Sequence, residues 1–305
     1  MAINLLEYAA LFQANLDKQI TQQATSGWME TNAGEVKYNG GSEIKIPTIK
    51  MQGLADYDRD NGFVRGAVNF KYTTYTMTQD RGRTFSLDSQ DVDETAFGTT
   101  AANVLAEFQR NEVIPEIDAY RYSRIGALAE AAGQSETYTL AESTILSKLN
   151  TQIFKLADLG VDMTQMVIPM SYIAYGVLTN NTVIQKKIDV GTFEQGGINL
   201  QIKMLDGIPL IPVTSDRMKT AYVFRDGTSA DQQQGGFTPA VGAEQMHWMV
   251  LPKTGVIAIS KTDKVRLFDP DTNQDADAWK IDYRKYHDLI VPENKKKALF
   301  ITKGD

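Results

Sequence analysis

The longest run of helical periodicity spans residues 91–133, DVDETAFGTTAANVLAEFQRNEVIPEIDAYRYSRIGALAEAAG. Asp91 and Glu94 stand at the spacing of a capping box, in which each side chain satisfies an open backbone N–H, so a helix is predicted to start near Val92. Phe97, Ala101, Val104 and Phe108 recur at four-three-four spacing and share one face, which leaves Glu107, Arg110 and Asn111 toward water. Pro115 lacks an N–H and disfavours helical backbone at Ile114, so the run is predicted to kink or restart there with Pro115 in the first turn. Beyond it Ile117, Arg121, Ile125 and Leu128 form a second stripe. A guanidinium inside an apolar stripe needs a carboxylate, and Asp118 is the nearest in sequence, so Arg121 and Asp118 are the predicted structural polar pair.

Upstream, Leu5, Ala9, Phe12, Leu16 and Ile20 predict an amphipathic helix over 3–20 that packs on its own subunit or on another. From Glu35 the period changes to two: Val36 and Tyr38 precede the turn signal Asn39-Gly40-Gly41, and Ile44 and Ile46 alternate with Glu43 and Lys45. Residues 52–66, QGLADYDRDNGFVRG, are predicted to be an exposed polar tip. The return run AVNFKYTTYTMTQDRGRTFSLD predicts a long strand with a turn at Asp80-Arg81-Gly82. An isolated two-stranded ribbon is marginal in water, so this arm must lie on something. Its expected assembly contacts are Asp58, Arg59, Asp60 and Arg65 at the tip and Phe70, Tyr72 and Tyr75 along the strand.

The remainder alternates strand and helix. A helix is predicted from about Leu140, with Ile145, Leu149, Ile153 and Leu156 in register, to Gly160. A short strand at Met166-Val167-Ile168 precedes a helix over 172–178 that Asn180-Asn181 stops. INLQIKMLDGIPLIPV predicts two strands about Asp206-Gly207, and Tyr222-Val223-Phe224 a further one. Residues 227–242 are predicted to be a flexible loop. Long β-pattern resumes over 246–268, with a break near Pro252 to Gly255, and two more strands lie around Pro292-Glu293-Asn294. The pattern is α+β, without an internal repeat.

At 305 residues, with 42% hydrophobic and 23% charged positions, the chain can bury a sizeable core. It has no apolar run long enough to span a bilayer and no basic start, which predicts a soluble chain without a secretory signal. The absence of cysteine excludes disulfides, thiolate metal sites and cysteine nucleophiles, and fits synthesis in a reducing compartment. A net charge of −7 argues against a nucleic-acid reader built on a broad basic surface.

Chemistry is sparse. The two histidines, His247 and His287, sit in β-pattern and are expected to be half-exposed strand residues, with no nucleophile elbow for either to serve. Zinc fails on ligand count, and the usual phosphate cradles are missing. Asp88, Asp91, Asp93 and Glu94 are explained by a strand end and a helix cap. Asp269, Asp271, Asn273, Asp275 and Asp277 copy alternate positions of a calcium loop, but Gln274 replaces the turn glycine and Lys280 the bidentate Glu, so a solvated turn is expected over a calcium site. No catalytic, cofactor-binding or complete metal site is predicted, and the chain is not expected to be an enzyme.

The order of elements, with DRGRTFSLDSQDVDET, VIPEIDAYRYSRI, DGIPLIPV and DPDTNQDADAWKIDYRKYHDLIVPENKKKAL, resembles the major capsid proteins of tailed bacteriophages over nearly the whole chain. The stretch DRG to VIPEIDAYR is its most specific part. The resemblance implies an α+β Hong Kong 97-type fold: an N-terminal arm (1–34), an extended β-hairpin loop (35–80) lying across a neighbouring subunit, a peripheral domain with a long spine helix (81–137 and 245–297), and an axial domain (138–244 and 298–305). It implies a structural protein that self-assembles through hexamers and pentamers into an icosahedral shell around double-stranded DNA. Implied partners are other copies of the chain, a separate scaffolding protein, a portal protein and packaged DNA by non-specific contact, with no cofactor and no membrane. The implied location is the virion, after synthesis in the bacterial host cytoplasm. Some family members carry an N-terminal scaffolding extension removed at maturation; none precedes the arm here, which implies a separate scaffold or a mature product. The lysine–asparagine crosslink of the type member is assignable to no residue. Two other readings remain: an encapsulin-like nanocompartment on the same fold, holding protein cargo, and a hydrolase using the acidic clusters.

Overall fold

A computed structural model of the chain describes residues 24–35, 37–38, 43–60, 62–88, 104–181, 188–195 and 198–304. The predicted helix over 3–20, the Asn39-Gly40-Gly41 turn, and Asp91, Asp93, Glu94, Phe97 and Ala101 lie outside these residues. The first strands are β1 (Lys37–Tyr38), β2 (Glu43–Met51), β3 (Val68–Thr76) and β4 (Gln79–Asp88). Helix α1 (Ile114–Ala131) follows, then β5 (Ser135–Thr137), α2 (Ile145–Asp158), β6 (Met166–Ser171), α3 (Tyr172–Asn180), β7 (Ile188–Gln195), β8 (Ile198–Leu205) and β9 (Ile208–Val213). The chain ends with β10 (Tyr222–Phe224), β11 (Phe237–Pro239), β12 (Met246–Pro252), β13 (Ile257–Phe268), β14 (Ala278–Ile290) and β15 (Phe300–Lys303).

Seven strands form one sheet in the order β5-β15-β12-β6-β9-β8-β7. Its central strands are covered on both faces, so every position of β6 and β12 is buried, and their sequences are mostly apolar without alternation. Ile145, Leu149, Ile153 and Leu156 of α2 pack with Met166, Ile168, Trp248 and Val250 on one face. Tyr122, Ile125 and Ala129 of α1 pack with Val167, Met249, Leu251 and Ile301 on the other. Strands β5 and β12, expected in the peripheral domain, therefore belong to the sheet that carries α2 and α3. The β8–β9 hairpin turns at Asp206 and Gly207, both at positive φ (50° and 82°), the conformation this two-residue connection requires.

The helix that enters α1 is in place from residue 104 and passes through a π-helical turn, Gln109–Val113, in which the Ile114 N–H donates to the Gln109 carbonyl. Pro115 then lies in the first turn of α1, so the predicted restart takes the form of a widened turn. Buried residues surround α1 on most sides. The expected alternation of one packed and one wet face does not extend past Ile114, because strands and the 24–35 segment cover it.

A second sheet has the order β13-β14-β4. Strand β4 pairs with β14 without interruption from Asp88↔Ala278 to Gln79↔His287. The turn expected at Asp80-Arg81-Gly82 is thus absent, and the break falls earlier, at Met77 and Thr78. Gly82 serves close approach: a Cβ there would lie 2.8 Å from the Tyr283 carbonyl oxygen. Within residues 227–242, expected to be a plain loop, β11 pairs with β10. Both histidines are buried rather than half-exposed, since each lies on a strand covered on both sides.

Candidate assembly surface

The β2–β3 arm projects with its strands in register from Glu43↔Thr76 to Met51↔Val68. Directly opposed residues share a face, so Pro47, Ile49 and Met51 line up beside Tyr72, Phe70 and Val68. Every member of this apolar face is exposed, Ile49 at 56% and Phe70 at 53%. Nearer the body the opposite face is the apolar one. Ile44, Ile46 and Tyr75 pack there against Ile257, Ile259 and Ile290. The hydrophobic phase of β2 thus shifts by one residue at Pro47, and a one-residue shift moves apolar side chains to the other side of the ribbon.

Among the expected contacts, Tyr75 therefore packs inside its own subunit, and burial followed by the nearby Glu293 carboxylate pushes its phenol above the ordinary range. Phe70 and Tyr72 lie on the exposed face with ring centroids 5.0 Å apart, edge to face. Asp58, Arg59, Asp60 and Arg65 are exposed at the tip. The tip is folded on itself by paired Asp58 and Gly62 backbones, with the Gly62 N–H donating to the Asp58 carbonyl at 2.8 Å. It also carries Leu54, Tyr57, Phe63 and Val64 in the open, with the Tyr57 and Phe63 rings 4.8 Å apart. These apolar tip residues were hidden in a polar sequence context, although Phe63-Val64 is itself an apolar pair.

The 24–35 segment, which precedes the arm in sequence, is held to helix α1 by buried charges. Arg121 is fully buried, and its carboxylate is Glu30 (Nη2 to Oε1, 2.5 Å) rather than the expected Asp118. Asp118, equally buried, accepts from the backbone N–H groups of Thr25 (3.1 Å) and Ser26 (3.0 Å), from both hydroxyls, and from Arg217. The Ser26 hydroxyl joins the two halves, since it donates to Asp118 and accepts from Arg121 Nη1. Asp118 and Arg121 are one turn apart on the helix and reach different partners on each side.

A second buried carboxylate, Asp288, accepts from the Tyr120 hydroxyl at 2.6 Å and from the Thr78 N–H at 2.8 Å. This fixes the break between arm and β4. Burial, then the Asp288 hydrogen bond, pushes the Tyr120 phenol up. His287 packs edge-on to the Tyr120 ring, and its Nδ1 has no hydrogen-bond partner among the described residues. Burial and then the Arg121, Lys285 and Arg81 cations hold its imidazole well below the usual histidine range, so it is neutral near pH 7.

The calcium-like residues form the β13–β14 connection. Asp269 caps the Thr272 N–H (2.7 Å), Asn273 donates to the Ala278 carbonyl, and Asp275 pairs with Lys280 at 2.6 Å. Lys280, the residue standing where a bidentate Glu would be, thus neutralises one of the carboxylates. Among the described residues no three acidic or histidine side chains converge on a point, and no helix is long and apolar enough to cross a membrane.

No protein-family model and no curated protein sequence matches the chain. Among solved structures, it is similar to the capsid structure of cyanophage P-SCSP1u, with a TM-score of 0.57 and 9% identity over 88% of this chain and 85% of that one. The capsid structure of Staphylococcus phage Andhra gives a TM-score of 0.55 and 10% identity over 88% and 82%. The mature capsid of bacteriophage PhiM1 gives 0.51 and 13% over 87% and 82%. At such identities the likeness defines the fold, which is the α+β Hong Kong 97-type fold.

Proposed function

We propose that the chain is a structural major capsid protein whose copies assemble through hexamers and pentamers into an icosahedral shell around phage or prophage double-stranded DNA. The observation that carries the reading is the exposed apolar face of the arm, Pro47, Ile49, Met51, Val68, Phe70 and Tyr72, which the other described residues leave unburied. A neighbouring copy lying under the arm removes that face from water at every position of a repetitive shell. The similarity to capsid structures supports the same reading. In it, residues 1–34 are an N-terminal arm, 35–80 the extended loop, and the two sheets the cores of the axial and peripheral regions. The further partners are a scaffolding protein, a portal protein and DNA held without sequence preference, and the chain has no catalytic task. Negative-stain microscopy of the purified protein tests this: closed shells are expected, whereas monodisperse small oligomers would overturn it. Shells that retain protein cargo and no nucleic acid would move the assignment to a nanocompartment.

A further inference from the structure

Alternate residues of a strand share a face, so Arg81, Arg83 and Phe85 of β4 stand together with Tyr283, Lys285 and His287 of β14, Arg81 opposing Lys285 and Arg83 opposing Tyr283. Residues 108–117 and 225–237 close over this face and leave a cleft of about 610 Å³, within the range of about 300–1,000 Å³ usual for small-molecule sites. Phe85, Phe108, Phe237 and Tyr283 supply its apolar walls. The loop side is held by Arg81, which clamps Glu116 through two hydrogen bonds (2.7 and 3.1 Å) and donates to the carbonyls of Arg225 (2.7 Å) and Gly236 (3.2 Å). Two ion pairs cancel, Arg81 with Glu116 and Asp80 with Arg284. Arg83, Arg225 and Lys285 then stand against Glu112 and Asp226. Asp226 accepts from the Ser229 hydroxyl and from the Thr228 and Ser229 N–H groups of its own turn. Arg83 donates only to the Gln233 carbonyl, at 3.3 Å, and the side chains of Arg225 and Glu112 make no hydrogen bond or ion pair among the described residues. His287 lines the same cleft at 3% exposure, and its Nδ1 has no hydrogen-bond partner among those residues.

We propose that this cleft binds a nucleotide, its phosphate on Arg83 and Arg225 and its base between the aromatic walls. Each part of the lining asks for one part of that ligand. Aromatic walls take a flat ring by stacking or edge contact. A neutral imidazole nitrogen without a partner, and a carboxylate without a donor, need hydrogen-bonding groups on the ring's edge, which a nucleobase has and a plain phenyl ring lacks. Guanidinium groups that hold at most one carbonyl have N–H groups left for phosphate oxygens, and Lys285 adds charge of the same sign to that wall. A net charge of −7 gives the chain no broad attraction for nucleic acid, so recognition is confined to the cleft. The ligand chemistry is that of a single nucleotide, whether free or at the end of a strand. The inference does not need the shell, because the lining belongs to one chain.

Calorimetric titration of the full chain with deoxyadenosine monophosphate, deoxyadenosine and inorganic phosphate tests this. The monophosphate should bind at least tenfold more tightly than either of its parts. In Arg83→Ala with Arg225→Ala, which removes two side chains from the rim, its affinity should fall at least tenfold while deoxyadenosine binds as before and circular dichroism is unchanged. No binding of the monophosphate at millimolar concentration, or equal affinity in parent and variant, would overturn the proposal. A short single strand with a 5′-phosphate separates the two sources: affinity equal to that of the monophosphate admits a strand end, and weaker affinity restricts the cleft to free nucleotides. A second readout needs no substitution, because the chain has only two histidines. With nitrogen-15 in both imidazoles, the monophosphate should shift the His287 signals and leave those of His247, which is not in the lining, in place. Signals of His287 that stay put while the monophosphate binds would move the site elsewhere and contradict the proposal. None of these outcomes bears on whether the chain forms shells.

Discussion

Two antiparallel ribbons of this chain end differently. β13–β14 pairs from Ile257↔Ile290 to Phe268↔Lys280 with one bulge between Ser260 and Thr262, takes β4 as a third strand, and is covered by Leu105, Phe108 and the base of the arm. β2–β3 has β1 beside only its first residues, and among the described residues its apolar face is left exposed from Pro47 outward. The two ribbons share the same alternating chemistry. They differ in whether the covering element belongs to the same chain. Burial of a side chain such as Ile49 or Phe70 is worth about 1.5–3 kcal/mol, a gain that β13–β14 takes on folding and β2–β3 leaves for association.

The largest effect is expected from removing the uncovered ribbon. Replacing residues 47–72 with Asn-Gly leaves the Ile46↔Thr73 pair closing a two-residue hairpin on the packed base. The subunit should keep its circular dichroism and melting temperature while microscopy finds no shells; normal shells from this variant would show the arm to be dispensable.

Next in size are the buried charges of α1. Asp118→Ala strands Arg217 and two backbone N–H groups and should cost about 3–5 kcal/mol in urea unfolding. Arg121→Leu should cost about 3 kcal/mol, less than Asp118→Ala because Glu30 keeps some contact with water. Equal stability of either variant and the parent would mean that the network does not hold the 24–35 segment down.

The ribbons themselves can be compared by matched truncations. Ile281→Ala, on the covered ribbon, should destabilise the subunit by about 2–5 kcal/mol, and Ile49→Ala, on the bare one, by less than about 0.5 kcal/mol. In the assembled particle Ile49→Ala should lower resistance to denaturant-driven disassembly. Similar subunit costs at the two positions would erase the distinction.

A smaller effect lies in pH. The folded state lowers the His287 pKa below that of the unfolded chain, about 6.5, so the unfolded state binds the proton first. The contribution is fully present above about pH 6.5 and is lost as pH falls below it. Tyr120, Arg121, Arg81 and Lys285 face the ring, and the three cations oppose its protonation. In His287→Phe, stability should fall less steeply between pH 7 and pH 5 than in the parent; identical slopes would count against a neutral buried imidazole. Smallest of all, millimolar calcium should not move the melting temperature, and a rise of several degrees that vanishes in Asp271→Ala would contradict this.

Periodicity made much of the fold legible because it reports which face of an element is apolar. The Ile145, Leu149, Ile153, Leu156 stripe of α2 and the Asp206-Gly207 turn could be read directly. Periodicity does not report what covers a face. Arg121 was visibly a buried cation, but Glu30, 91 residues away, is brought to it only by tertiary folding. For the same reason His247 and His287 sat in ordinary β-pattern while their strands were to be covered on both sides. The shift at Pro47 was present in EIKIPTIKM as a change from even to odd apolar positions. Its meaning depends on the register with β3, which places Ile46 over the body and Ile49 over water.

Hydrogen exchange measured by mass spectrometry on free subunits and on assembled particles tests the central claim most directly. Peptides from β13–β14 should be protected to the same degree in both states, while those covering residues 47–72 should exchange rapidly in subunits and slow by at least tenfold on assembly. Arm peptides that exchange equally fast in both states would contradict the account, since no neighbour would then be lying on them.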